Sequence, residues 1–293
     1  MFPCYGSGAK RTRATLAASW RAEVWGQPVA HSLSPALHNA AYQALGLSAS
    51  YDRREVGVAD LANAMAQHAP RLRGISLTMP LKEAILPLVP DHRGLVDELG
   101  AANTVVCAPE GMFLWNSDPA GVAGALADLG LEEAPRVLLL GAGATARSVL
   151  AALPGYQTAE VTVASRDEDR ASPCLDYARA KGFATHWMGL AGLGAAGECD
   201  LVVSTLPHGV DVSGLIPANM PERAALLDVA YHPWPTPLAE HWQGSPKPVA
   251  SGRTMLLHQA VVQIRLFVQA DPDRALPDED GVIAAMRKAV PAG

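Results

Sequence analysis

The chain has 293 residues, 49% hydrophobic, 18% charged and only 5% aromatic, which describes a folded globular chain and excludes a disordered, collagenous or coiled-coil one. That length accommodates two domains of roughly 100 to 150 residues, so stability needs neither a disulfide framework nor a structural metal. Twenty-nine acids against 23 Lys plus Arg give a formal net charge of -6, which excludes a broad polyanion-binding surface and leaves a local phosphate site open.

Residues 1–22 hold Lys10, Arg11, Arg13 and Arg21 without an acid and read as a basic flexible extension; no nucleic-acid partner is expected from so short a run. The N-terminus lacks the apolar core of a signal peptide, and no run approaches the roughly 18 apolar residues of a membrane span. A cytoplasmic protein without a membrane partner is expected. Cys4, Cys107, Cys174 and Cys199 have no CxxC spacing, which favours a reducing compartment and gives no zinc site.

Order begins with AEVWGQPV at 22–29, a strand running into a turn. Ser34 and Pro35 then read as N-cap and first residue of a helix that stops at Gly46. Segments 50–56 and 74–78 read as strands with an amphipathic helix between them, and 104–116 as a hairpin around Pro109-Glu110-Gly111. A helix is predicted from about 121 to 129. The second half opens with RVLLL at 136–140, a glycine turn, a helix at 145–153 and EVTVAS at 160–165, a βαβ unit. Strands follow at 200–205, 226–230 and 247–250, then a long helix after Gly252 and a shorter one at 282–290. Apolar strands separated by helices predict a parallel sheet in this half.

The turn after RVLLL reads Gly141-Ala142-Gly143-Ala144-Thr145-Ala146, a GxGxxA dinucleotide turn whose following helix N-terminus would hold pyrophosphate. Ser165 and Arg166 close the next strand and Arg170 lies one turn onward, so an arginine stands where a 2′-phosphate would sit. NADP is favoured; Asp167 keeps NAD open as the alternative.

The first half shows three polar groupings at strand ends: HSLSP with Ser32 and Ser34, SLTMPLK with Thr78 and Lys82, and Asn103-Thr104 followed by NSD ending at Asp118. Singly, each has a structural explanation as a cap, strand residue or surface pair. Together they offer hydroxyls and amides for a polyhydroxylated ligand, one ammonium for a carboxylate or proton, and one carboxylate to orient it. No nucleophile elbow or HExxH metal motif is present, and hydride transfer requires neither.

With these motifs in order, the chain resembles the shikimate dehydrogenase family: GQPVAHSLSPALHNAAY, SLTMPLKEAIL, GAANTVV, NSDPAG, GAGATARSVL, LVVSTLPHGV, LLDVAYHPWPTPLA and SGRTMLLHQAVVQIRLF carry the likeness to about residue 270. The resemblance implies an α/β protein of two domains separated by an active-site cleft. One is a mixed-sheet substrate domain at 23–123 plus 252–293, the other a Rossmann-like NADP domain at 124–251. It implies that Ser32 and Ser34 meet the substrate carboxylate, while Thr78, Asn103, Asp118 and Gln259 surround the ring. Lys82 and Asp118 would form the catalytic pair, with Tyr231 near substrate and Met255 near nicotinamide. The implied reaction is reversible NADP-dependent reduction of 3-dehydroshikimate to shikimate in aromatic amino-acid biosynthesis, by a monomer or homodimer. The alternatives are a quinate/shikimate dehydrogenase using NAD or NADP, and a non-catalytic metabolite or nucleotide sensor. Many family members carry Asn where this chain has Ser76, and Gly at positions 119, 144 and 254, where it has Pro, Ala and Thr.

Overall fold

The computed structural model describes residues 19–207 and 209–290. Most of the basic extension predicted at 1–22 lies outside the described residues, but its end does not. Trp20 already pairs with Ala49, and its ring packs edge-on to Tyr42 at 4.9 Å, so an aromatic contact starts the first strand two residues early.

The first sheet contains β1 (Trp20–Gly26), β2 (Ala49–Glu55), β3 (Gly74–Leu77), β4 (Thr104–Ala108) and β5 (Gly111–Trp115), in the order β2-β1-β3-β4-β5. β1 runs parallel to β2 and β3, and β4 antiparallel to β3 and β5, which makes the sheet mixed. Its helices are α1 (Ser34–Ala44), α2 (Leu61–His68), α3 (Leu81–Ala84), α4 (Val96–Leu99) and α5 (Asp118–Asp128). Ser34 is not the N-cap of α1. Leu33 is, and Ser34 instead donates its amide to Ser32 Oγ at 3.3 Å. α5 starts at Asp118 rather than near 121 because Pro119 is tolerated in a first turn, where its missing N–H has no intrahelical partner to lose.

The second sheet is wholly parallel: β6 (Arg136–Leu140), β7 (Glu160–Ser165), β8 (Ala184–Gly189), β9 (Leu201–Ser204), β10 (Ala225–Asp228) and β11 (Val249–Ser251), in the order β11-β10-β9-β6-β7-β8. α6 (Ala144–Ala152), α7 (Glu168–Ala180) and α8 (Pro237–His241) connect it. α7 escapes a sequence reading because Pro173 sits inside a mostly polar run.

α9 (Gly252–Gln269) leaves the second sheet and packs on the first, followed by α10 (Glu279–Ala289). Its Leu257, Ala260, Ile264 and Phe267 share a core with Val24, Tyr42 and Phe113, whereas Met255 at its start belongs to the core of β6 and β7. Each large side chain so buried contributes about 2 kcal/mol. α5 crosses α9 so closely that a Cβ at Gly121 would lie 2.7 Å from Met255 O. No described helix is long and apolar enough to cross a membrane.

Candidate active site

The polar groupings of the first half converge because of strand direction. Parallel strands β1 and β3 end at the same edge, so the 27–34 loop and the 78–82 turn leave together, joined by Gln27 N donating to Met79 O at 3.0 Å. Antiparallel β4 begins at that edge, where Thr104 faces Ser76, and β5 ends there, where Trp115 faces Thr104. Asn103 and the Asn116-Ser117-Asp118 segment therefore stand beside Lys82.

Lys82 Nζ donates to Asp118 Oδ2 at 2.5 Å, with the two side chains only 17% and 6% exposed. Asp118 Oδ1 accepts from Asn103 Nδ2 at 2.7 Å, and the Asp118 amide donates to Asn116 Oδ1 at 3.0 Å. Asn103 Oδ1 takes the Ser117 amide at 2.9 Å, which sets its carboxamide with the NH2 toward Asp118. The same NH2 lies 2.9 Å from Ser117 Oγ and 3.3 Å from Gln259 Oε1. A carboxylate with both oxygens engaged is fixed in place, and it orients the ammonium opposite it.

Behind Asn103 runs a chain of buried polar groups whose members Gln263 and Tyr51 the sequence reading did not single out. Gln263 Nε2 donates to Asn103 O at 3.1 Å and to Thr104 Oγ1 at 2.9 Å, and Thr104 Oγ1 donates to Asn103 Oδ1 at 2.7 Å. Gln263 Oε1 accepts from Ser76 Oγ at 2.7 Å, which accepts from Tyr51 OH at 2.6 Å. His38 stacks on Tyr51 with centroids 3.9 Å apart. Burial pushes its imidazole down to about 3, against a weaker opposing hydrogen bond to Gln263. Gln263 follows Gln259 by one helical turn, so the i, i+4 spacing of two amides in an apolar helix was the available signal.

Of the other residues expected at the substrate, Thr78 sits over Gly26, where its Cγ2 would lie 2.2 Å from a Cβ. Ser34 is buried and Ser32 half-buried on the adjoining loop. Tyr231 follows β10; burial raises its phenol pKa while a hydrogen bond to the Leu33 backbone opposes the shift. His232 stacks on His31 with centroids 5.1 Å apart. These contacts tie the 27–34 loop to the second sheet. The Tyr231 loop is itself anchored by Asp228, which accepts from Thr236 Oγ1 at 2.6 Å and from Ala230 N at 3.1 Å.

At the C-terminal edge of the second sheet, a cavity of about 510 Å³ is lined by Gly141, Ala142, Gly143, Ser165, Arg166, Asp167, Arg170 and Thr205, among others. Gly141 has φ +100 and its Cβ would lie 2.5 Å from Thr205 Oγ1, so a side chain there is excluded twice. A Cβ at Gly143 would meet nothing within 4 Å, leaving room before α6, whose first turn has no side-chain cap. Free amides over open space suit a pyrophosphate.

Arg166 and Arg170 border this cavity, exposed and without an ion pair among the described residues. Asp167 is spent differently: it is the N-cap of α7, its Oδ1 accepting the Arg170 amide at 2.9 Å. Ser165 Oγ donates to Asp167 O and accepts from Trp187 Nε1, each at 2.9 Å. Residues present therefore fit NADP better than NAD. Four expected cofactor residues, Ala144, Thr145, Ala146 and Met255, do not line this cavity: Ala146, within α6, is fully buried and Met255 is 6% exposed in the core. Ala144 is half-buried at the start of α6. Thr145 turns to the other site, 3.3 Å from Lys82 Nζ.

The family model described as shikimate dehydrogenase substrate binding domain matches residues 24–105. A curated shikimate dehydrogenase (NADP(+)) from Citrifermentans bemidjiense is 36% identical over 269 residues, 86% of this chain and 90% of the relative. The chain belongs to the shikimate dehydrogenase family. Among solved structures, Mycobacterium tuberculosis shikimate dehydrogenase matches with a TM-score of 0.79 and 36% identity over 92% of this chain and 99% of that one. The Thermus thermophilus shikimate dehydrogenase, solved in complex with NADP(H) and shikimate, gives 0.75 and 30% over 92% and 100%. The dehydrogenase fold thus spans both sheets of this chain.

Proposed function

We propose that the chain catalyses the reversible NADP-dependent reduction of 3-dehydroshikimate to shikimate, with Lys82 and Asp118 as the catalytic pair. The observation that carries this reading is the half-buried Lys82 ammonium held between Asp118 and Thr145, the latter on the nucleotide turn. It stands at the seam of a polyol-suited site and an anion-suited one. The substrate domain would comprise 23–123 plus 252–293, and the NADP domain 124–251. The setting is the cytoplasm and the pathway aromatic amino-acid biosynthesis.

Bound NADPH supplies the hydride that reduces the C3 carbonyl. Lys82 donates a proton from Nζ to the carbonyl oxygen as negative charge develops there, yielding the C3 hydroxyl. Its ammonium has three N–H donors. Two are directed at Asp118 and Thr145, and the third serves the substrate oxygen. Asp118 holds the ammonium in register, and Asn103 keeps Asp118 from rotating away. Thr78 and Gln259 contact ring hydroxyls, Ser32 and Ser34 the carboxylate, and Tyr231 covers the substrate. Gly141 to Thr145 and Ser165 border the cofactor, and Arg166 and Arg170 hold the 2′-phosphate. Asp167 spends Oδ1 on its helix cap while Arg166 and Arg170 stand at the cavity without an ion pair among the described residues, which favours NADP over the NAD-dependent alternative.

The test is an absorbance assay of purified protein with shikimate or quinate against NADP or NAD. Turnover with shikimate and NADP is expected to exceed the other three combinations; none with any pair would overturn the dehydrogenase reading.

A further inference from the structure

Lys82 rides on α3, a helix of four residues, and an isolated helix that short has no stability of its own. Its placement comes from neighbours. On the first sheet, Leu81 is fully buried, and Lys82 O accepts the Ala102 amide at 2.8 Å. On the opposite side stands Arg147 of α6. Its Nη2 donates to Glu83 at 2.5 Å and its Nε to Leu99 O at 2.6 Å, the carbonyl that ends α4. Its own amide donates to Gly143 O at 3.3 Å, closing the first turn of α6 on the glycine loop.

One residue is thus bonded through its backbone to the nucleotide turn and through its side chain to the neighbour of the lysine. The Arg147 side chain is 10% exposed and that of Glu83 59%. As a stabilising ion pair, a partner so open to water contributes little. As a spacer the guanidinium is well suited, because its planar fork reaches two acceptors on separate elements, which an ammonium cannot do with the same rigidity.

We infer that Arg147 is a positioning residue for Lys82: with Glu83 it forms a strut that sets α3 against the nucleotide turn and so fixes the Lys82 ammonium between Asp118 and Thr145. The inference rests on the dehydrogenase reading for its kinetic consequence, but not for its structural one.

The experiment compares Arg147→Met, Arg147→Lys and Glu83→Ala with the wild-type chain by two independent readouts. In shikimate oxidation, Arg147→Met is expected to lower kcat about thirtyfold, while KM for shikimate and the NADP Kd from fluorescence titration stay within about threefold. Arg147→Lys recovers part of the loss, and adding Glu83→Ala to Arg147→Met costs little more. In hydrogen exchange of the protein alone, amides 81–85 exchange about tenfold faster in Arg147→Met, with strand 136–140 unchanged. Unchanged exchange at 81–85 overturns the inference, as does a kcat near wild type with weakened NADP binding. If the wild type turns over no substrate, the dehydrogenase reading fails while the exchange result still decides the strut. Should Arg147→Met not fold, Glu83→Ala at an exposed side chain reads both observables.

Discussion

The two sheet edges that meet at Lys82 are built in opposite ways. At the first, side-chain polar atoms satisfy one another: Asn103 alone touches Ser117, Asp118, Thr104 and Gln259 before any ligand arrives. At the second, the glycine turn leading into α6, whose N-terminus has no side-chain cap, lines a cavity of about 510 Å³, and two arginines carry no ion pair among the described residues. The contrast follows from what each would hold. A ring with several hydroxyls is distinguished by donors and acceptors in fixed directions, so rigidity must precede binding. A phosphate is recognised chiefly by charge and amide hydrogens, which a glycine turn and unpaired guanidiniums supply without a preformed network.

The sharpest way to break the comparison is at its seam. Lys82→Ala is expected to lower kcat about a thousandfold, and Asp118→Asn by a comparable though smaller factor, with NADP binding little changed. Near-normal turnover in both variants would remove the first edge from the chemistry. Next in size is Asn103→Leu. It strands the Ser117 amide, the Thr104 hydroxyl proton and Asp118 Oδ1 in a buried site, so urea unfolding should show a loss of about 3 kcal/mol. A loss below about 1 kcal/mol would mean that the network relaxes freely and is not preorganised.

Legibility differed between the edges for the same reason. The glycine turn and its flanking strands are local, so β6 at 136–140 and β7 at 160–165 stand where alternation and apolar runs put them. Lys82, Asn103 and Asp118 were legible as polar residues at strand ends. What could not be read was who meets whom across the fold. Gln263 lies 160 positions from Asn103, and Arg147 lies 64 from Glu83. Periodicity records which face of an element is buried, whereas a buried amide in an apolar helix is informative only once its partner is known. Tyr51, at an inward position of β2, was silent for that reason. α7 was missed on local grounds, because Pro173 and the acids around it mask its apolar stripe.

Acid should weaken the first edge before the second. His38 is neutral in the folded chain, its pKa depressed by burial to about 3 from 6.5, whereas the unfolded chain takes up a proton below 6.5. The unfolded state therefore binds more protons in this window, and stability falls as pH drops from 6.5 toward 3 by up to about 1.4 kcal/mol per unit. Over the first two units that is about 2 kcal/mol. His38→Phe keeps a ring against Tyr51 and removes the titration. Urea midpoints measured from pH 7 to 4.5 should decline more gently in that variant; parallel slopes would show that His38 is not the proton acceptor.

The second edge is tested by charge. Replacing Arg166 and Arg170 together by alanine should raise KM for NADP about thirtyfold, some 2 kcal/mol, and leave KM for NAD within about twofold. The difference between the two nucleotides is the diagnostic quantity. Equal weakening of both would place the arginines over the pyrophosphate instead of the 2′-phosphate.

The smallest effect separates the two roles of Asp167. As the α7 N-cap, its carboxylate accepts the Arg170 amide, and this same bond holds Arg170 at the cavity wall. Asp167→Ala should then cost about 1 kcal/mol of stability in urea unfolding, the usual worth of an N-cap. NADP should bind no more tightly despite the loss of a nearby negative charge, because the slackened first turn lets Arg170 drift. Asp167→Asn retains a capping oxygen and should restore most of that stability while making NADP binding slightly tighter. A ribose-binding carboxylate behaves otherwise: both substitutions would weaken NAD and neither would move the unfolding midpoint. The pair of variants therefore decides whether the open edge owes its preference for NADP to two arginines alone or also to a carboxylate withdrawn into the backbone.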